Sequence, residues 1–193
     1  MKWDDDYYTQ KAKKDGYPAR SVYKLMEIDK KYKIIKQGYT VLDIGAAPGS
    51  WSKYILTKIG KSGRLLSIDL NRLEIKEDSR MEALQGDIYS KEIQDRIAEY
   101  GQFDLVVSDI APTTSGNRNL DTARSEALVE EVIGFAEKYL KTGGDFVAKL
   151  FQGPGRQAIM DRIRANWTSA HFFKPQATRK QSFEVFIIGI GKK

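Results

Sequence analysis

The sequence predicts an α/β protein: a doubly wound, mostly parallel sheet with helices on both faces. Three observations point there. Short β-branched or apolar runs alternate with amphipathic stretches, the order that feeds parallel strands through helical crossovers. The first such run breaks into small residues, Gly45-Ala46-Ala47-Pro48-Gly49, before helical sequence resumes. The last two runs are joined only by a loop, so they must pair antiparallel. At 193 residues and 41% hydrophobic, the chain is long enough for one well-buried domain, spanning 1–193, and short for two.

Residues 1–16 are polar and charged, with Trp3, Tyr7 and Tyr8 interspersed, and are expected to form a partly ordered arm. From Pro18, acceptable in a first turn, the spacing of Val22, Leu25, Met26 and Ile28 predicts a helix to about residue 31. Lys24 lies on it between apolar neighbours, as a snorkelling surface lysine does. Residues 40–44 read as a buried strand, with Ser50 as a possible N-cap of a helix reaching about residue 59. A strand over 64–68 ends in Asp69, and a short one over 81–85 leads into Q-G-D-I. A helix over 91–99 precedes the strand 103–108, which runs straight into Asp109-Ile110-Ala111-Pro112. Residues 113–121 form a polar loop, a candidate mobile lid. A long helix over 122–140 should stop at Gly143-Gly144, followed by a strand over 145–150, a helix over 157–166 and a strand over 169–173. Residues 174–181, K-P-Q-A-T-R-K-Q, make a basic loop before the last strand, 182–190. Seven strands with an antiparallel last one resemble the class I methyltransferase architecture.

Composition removes several chemistries. Without Cys there is no disulfide, thiolate nucleophile or Cys-ligated metal, and the single His171 leaves no basis for a His metal site or a Ser-His triad; no metal is expected. No apolar run approaches a membrane span and the N-terminus lacks a signal-peptide core, so a cytoplasmic monomer is expected. The net charge of +6 is unevenly spread. Residues 1–36 hold ten Lys/Arg against six Asp/Glu, residues 149–193 nine against two, and residues 37–148 thirteen against eighteen. Basic ends around an acidic middle suggest a polyanion held by the ends and a cofactor held by the middle.

The loop spacing narrows the cofactor. A dinucleotide fingerprint would read G-x-G-x-x-G with helix amides on a pyrophosphate. Here the pattern is D-x-G-x-x-x-G, with Asp43 near the end of the strand. An acid there repels a pyrophosphate and suits a cationic amino-acid portion, as in S-adenosylmethionine. Asp69 is placed to accept from both ribose hydroxyls of an adenosine, and Asp87 from the adenine amino group. Gly45, Ala46, Pro48, Gly49 and Trp51 of the loop, Leu70 and Ile88 beside the two acids, and Asp109 complete the candidate cofactor site.

Asp109, Lys149 and Glu184 all stand near the sheet edge that carries this loop, and a lysine closing an apolar strand, F-V-A-K-L-F, is an unusual placement. At these residues the chain resembles the FtsJ family of RNA 2′-O-ribose methyltransferases over nearly its whole length. R-S-V-Y-K-L-M-E-I is similar to the family's N-terminal helix and V-L-D-I-G-A-A-P-G-S-W-S to its cofactor loop. S-D-I-A-P-T-T-S-G, V-A-K-L-F-Q-G and K-P-Q-A-T-R-K-Q-S-F-E-V-F follow in the family's order. Ser50 stands where the family mostly has Gly and Thr178 where it mostly has Ser, while Phe186 keeps the usual aromatic.

The resemblance implies a catalytic set of Lys24, Asp109, Lys149 and Glu184, with S-adenosylmethionine as methyl donor. It gives Lys24 a role its local pattern does not. It also implies that the substrate is large-subunit ribosomal RNA, with a uridine as acceptor; transfer RNA is the alternative within the family, and a non-catalytic ribosome-assembly factor the alternative outside it. Ribose methylation needs an in-line approach to a sulfonium methyl and a way to remove or weaken the O–H proton. A free lysine, pKa ~10.4, is a poor base near neutrality, so Lys149 is expected either as the base or as the group that orients the hydroxyl. Asp109 would orient Lys149, with Lys24 and Glu184 positioning the set. An amino-N-methyltransferase would carry an Asn/Asp-Pro-Pro-aromatic run where this chain has Asp109-Ile110-Ala111-Pro112. With no accessory RNA-binding module in the sequence, the basic flanks are expected to grip the RNA.

Overall fold

The computed structural model describes residues 3–179 and 181–193; Lys180 of the basic loop lies outside the described residues. Each apolar run is a strand: β1 (Thr40–Ile44), β2 (Arg64–Asp69), β3 (Met81–Gln85), β4 (Phe103–Ser108), β5 (Leu140–Phe151), β6 (Trp167–Phe173) and β7 (Glu184–Lys192). Between and before them lie α1 (Trp3–Lys14), α2 (Val22–Tyr32), α3 (Ser50–Lys58), α4 (Lys91–Tyr100), α5 (Arg118–Tyr139) and α6 (Arg156–Asn166). The strands form one seven-stranded sheet in the order β3-β2-β1-β4-β5-β7-β6. β1 to β5 run parallel, and β7 inserts antiparallel to both β5 and β6.

Alternation along each strand divides the core into two layers. Val41, Leu65, Val107, Val147 and Phe186 face α2 and α3, where they meet Val22, Leu25, Ile28 and Ile55. Leu42, Leu66, Val106, Phe146 and Ile187 face α4, α5 and α6, meeting Ile97, Ile133 and Ile163. Because β1 is flanked by β2 on one side and β4 on the other, the loops leaving β1 and β4 part from each other. That divergence opens a crevice at the C-terminal ends of the strands, where open α/β sheets bind ligands.

Four details differ from the sequence expectation. Residues 3–14 are helical rather than an arm: Ala12 of α1 is buried and the Tyr8 ring lies 5.4 Å from that of Tyr23. Pro18 precedes α2 instead of opening it, and the helix starts at Val22. α5 begins at Arg118, because the Asn117 side chain accepts from the amides of Asn119 and Leu120 at 3.1 and 3.3 Å. The loop before it is correspondingly shorter and is tied to the helix by Asp121. That carboxylate accepts from the Ser115 amide and hydroxyl, both at 2.8 Å, and from Gly116 N, and the Ser115 amide first among these donors holds it below the usual carboxylate range. Finally, Gly143-Gly144 do not end α5. The helix passes directly into β5 at Leu140, which pairs with Phe103, and the glycines lie where the β4–β5 register shifts.

Candidate active site

Two glycines shape the loop after β1. Gly45 (φ 76°) and Gly49 (φ 106°) are left-handed, and a Cβ at Gly49 would lie 2.9 Å from the Ile75 side chain. The amides of Gly45 and Ala46 both reach the Ile68 carbonyl, at 2.8 and 3.1 Å, which folds the loop back over β2. The Ala47–Pro48 peptide is cis. Gly49, not Ser50, caps α3; the Ser50 hydroxyl instead accepts from Ala19 N at 2.6 Å, tying the loop to the segment ahead of α2. The loop borders a shallow, open cleft lined by Ser21, Gly45, Ala46, Pro48, Trp51 and Asp109, among others.

The acids take three different positions. Asp43 shares the face of Val41, is fully buried beneath α3, and does not line the cleft. Its Oδ2 accepts from Ser52 Oγ at 2.6 Å, Ser52 meets Ser67 at 3.0 Å, and no donor among the described residues reaches its Oδ1. Burial above all pushes its carboxyl up to about 7, against the Ser52 hydrogen bond and with the negative charges of Asp109 and Asp69 adding to the rise. The sequence expectation that Asp43 meets the cationic part of the cofactor is therefore corrected: the carboxyl lies behind the loop, buried beneath α3 and bonded to Ser52. Asp69 ends β2 half-buried, accepting from Ala47 N at 3.0 Å and Asn71 N at 2.8 Å. Asp87 is exposed, with Tyr89 N donating to it at 2.9 Å. Leu70 is exposed beside Asp69, whereas Ile88 belongs to the core. Trp51 is buried, donates its indole N–H to the Ser21 carbonyl at 3.0 Å and packs on Phe186.

Lys24, Asp109, Lys149 and Glu184 form two ion pairs on one wall. Lys149 is only 8% exposed; its ammonium donates to the Asp109 backbone carbonyl and lies 3.1 Å from Asp109 Oδ1. That carboxylate oxygen is off the hydrogen-bond axis and has no other donor among the described residues. Lys24 reaches Glu184 at 2.6 Å from α2. Strand register explains the convergence. Phe186 faces Lys149 and Glu184 faces Phe151, so Lys149 and Glu184 share the α2 side of the sheet two residues apart. Asp109 continues the face of Val107 beyond β4. The cleft and the quartet meet at Asp109, which belongs to both.

Several supporting residues carry no local signal in the sequence. Ser52, itself bonded to Ser67, satisfies one oxygen of Asp43, and Ser21 lines the cleft. Glu27 of α2 accepts from the amides of Gln176 and Ala177 at 2.6 and 2.9 Å, and Arg20 donates to the Ala177 carbonyl at 2.9 Å. The basic loop is thereby fixed to the helix that carries Lys24. The Lys24–Glu27 spacing of three along α2 is the one hint of this arrangement.

A family model described as FtsJ-like methyltransferase matches residues 17–192. A ribosomal RNA large subunit methyltransferase E of Treponema denticola is 44% identical over 189 residues, covering 97% of this chain and 95% of that protein. Its namesake in Oleidesulfovibrio alaskensis is 46% identical over 195 residues, covering 100% and 94%. Among solved structures, a Plasmodium falciparum chain assigned as a ribosomal RNA methyltransferase superposes with a TM-score of 0.81 at 25% identity, covering 91% of this chain and 98% of that one. The MycE methyltransferase of mycinamycin biosynthesis shares the fold, with a TM-score of 0.57 at 16% identity over 89% of this chain and 47% of that one. The chain belongs to the FtsJ-like methyltransferase family, and its methyl donor is S-adenosylmethionine. The acid set fits that cofactor: Asp69 and Asp87 stand at adjacent strand ends with the exposed Leu70 beside them, and Asp109 lines the cleft itself.

The Asp43 proton gives a pH test. A carboxyl held neutral in the native state keeps a proton that the unfolded chain releases. Its stabilising contribution is complete below about pH 4 and is lost as pH rises through about 7. Thermal melts of the ligand-free protein should show this loss between roughly pH 4 and 7, and Asp43→Asn should flatten it; an unchanged slope in the variant would assign the titration to another group. For the cofactor, Asp69→Ala should weaken S-adenosylmethionine binding by roughly 1.5–3 kcal/mol in calorimetric titrations. Unchanged affinity would overturn the placement of the ribose at Asp69.

Proposed function

We propose that the protein transfers a methyl group from S-adenosylmethionine to a ribose 2′-hydroxyl of large-subunit ribosomal RNA, at a uridine. The observation that carries this reading is the double role of Asp109. It lines the cofactor cleft and at the same time holds Lys149, so an amine stands beside the methyl donor without a thiol or an Asn/Asp-Pro-Pro clamp for a base. The names of the curated relatives support ribosomal RNA as the substrate.

When bound, the cofactor supplies an electrophilic methyl on a sulfonium. Lys149 would hold the ribose hydroxyl toward that methyl and, once its ammonium has given up a proton to solvent, would take the hydroxyl proton onto Nζ. Asp109 orients the amine through its backbone carbonyl and carboxylate. Glu184 is engaged by Lys24 at 2.6 Å, so it positions the acceptor side of the site without adding a second free carboxylate at Lys149.

Lys149→Ala should abolish methylation while leaving the fold and cofactor affinity nearly intact. Lys149→Arg should fail as well, since a guanidinium cannot give up its proton and its planar fork points elsewhere. Substantial turnover by the Arg variant at neutral pH would rule out the base role and leave hydroxyl steering. The acceptor atom is tested separately. After incubation with methyl-labelled cofactor and separate pools of ribosomal subunits and transfer RNA, label should enter the large subunit. Alkaline hydrolysis should then leave it in a resistant dinucleotide, because a methylated 2′-oxygen cannot attack the adjacent phosphodiester. Label in a methylated base of a mononucleotide would sink the assignment.

A further inference from the structure

At the end of β5, outside the quartet, three side chains make a stack the reading above does not use. Phe183 immediately precedes Glu184, and its carbonyl accepts from Gln152 N at 2.9 Å, which extends the β5–β7 ladder by one step. Its half-buried ring rests on Phe151, centroids 4.9 Å apart at 66°. The guanidinium of Arg118, the first residue of α5, lies 5.2 Å from the centroid of that ring. Arg118 is exposed, and among the described residues no carboxylate lies within ion-pair distance of it. A second exposed cation, Lys174, reaches the Ser182 carbonyl at 2.7 Å, one residue from Phe183.

We propose that Arg118, stacked on Phe183, is a docking platform for an unpaired base of the substrate RNA next to the ribose being methylated. A guanidinium plane stacks well on aromatic faces and is weakly hydrated, so its outer face accepts a base at little desolvation cost. Its N–H donors, free of a carboxylate, remain for a phosphate oxygen of the same strand. Lys174 adds a point charge on the same side. Single-stranded RNA is recognised by this combination of stacking and backbone charge. The position is at the rim of the site: Phe183 adjoins Glu184 at the end of the β5–β7 ladder, on the α5 side of the sheet, so a base held there lies across the strand end from the quartet. A structural role alone, a staple of α5 onto β7, would need the ring contact but not the open outer face or the unpaired charge.

The inference rests on RNA being the substrate, and two measurements separate its failure from that of the substrate reading. The first is binding of a short, unstructured, fluorescent oligoribonucleotide, followed by anisotropy and needing no turnover, compared with the same strand carrying abasic sites. The intact protein should prefer the base-containing strand. Arg118→Ala should weaken binding of that strand about tenfold and lose the preference. Arg118→Lys should restore the salt dependence but not the preference. Phe183→Leu, which keeps apolar volume without a flat ring, should lose the preference too. S-adenosylmethionine affinity should be unchanged in all three. Arg118→Lys behaving as the parent would show a point charge only, and an intact protein indifferent to abasic sites would show no stacking; either overturns the platform. The second measurement is methyl transfer to large ribosomal subunits by the unaltered protein. Failure there would sink the substrate reading, while the oligonucleotide comparison would still decide the platform.

Discussion

Burying Lys149 is the constraint on which the rest of the site depends. An ammonium 8% exposed on a central strand is tolerable only with close partners. Those partners are the carbonyl and carboxylate of Asp109, available because β4 runs parallel beside β5 with their C-terminal ends level. The antiparallel return of β7 then brings Glu184 onto the same face, a half-buried charge that needs an answer. Lys24 supplies it from α2, more than a hundred residues away in sequence. α2 is held in turn by the Trp51 indole on the Ser21 carbonyl and by Glu27 on the 176–177 amides. Each charge thus dictates the docking of one more element.

The cofactor side solves the opposite problem, an excess of acids. Asp43, Asp69 and Asp109 crowd around one loop, and three like charges there would repel. Each is relieved differently: Asp43 by a proton, Asp69 by backbone amides of the loop, Asp109 by Lys149. The loop conformation depends on this arrangement, because the amide that Asp69 engages, Ala47 N, belongs to the loop itself. A charge-balanced quartet therefore adjoins a cleft whose field favours a cationic ligand.

Much of this was legible in the sequence because its signals are local. The strand runs, the glycine loop and the acids at strand ends follow from residue type and spacing, and β3 and β4 have the expected bounds. Alternation alone places Lys149 and Glu184 on defined faces of their strands. What spacing cannot give is which lysine meets which acid, since that is settled by where α2 docks. Nor does it separate Asp43 from Asp69, two acids with the same local pattern; depth separates them, as β1 lies inside the sheet beneath α3 while Asp69 is the last residue of its strand. α1 was obscured by its polar composition, with Ala12 and Tyr8 as its principal core contacts. The glycine pair after α5 reads as a helix stop by propensity, but the sheet uses it for a register shift.

The charge layout bears on why a hydroxyl, rather than a phosphate, would occupy the centre of such a site. The two basic ends of the sequence meet there: α2 brings Lys24, and the segment from 149 onward brings Lys149, with Lys174 beside Ser182 at the rim. Arg118 joins them from the acidic middle of the chain. The two inner lysines are already neutralised by Asp109 and Glu184, whereas Arg118 and Lys174 stand exposed without a carboxylate among the described residues. A polyanion is therefore attracted at the rim, where its phosphates meet uncompensated cations. At the centre, a phosphate would face acids with no spare positive charge to offset them, and would have to be desolvated against that field. A neutral ribose hydroxyl carries no such penalty. Paired two by two, the inner charges would thereby act as a filter, leaving the backbone of the RNA at the rim and admitting its sugar.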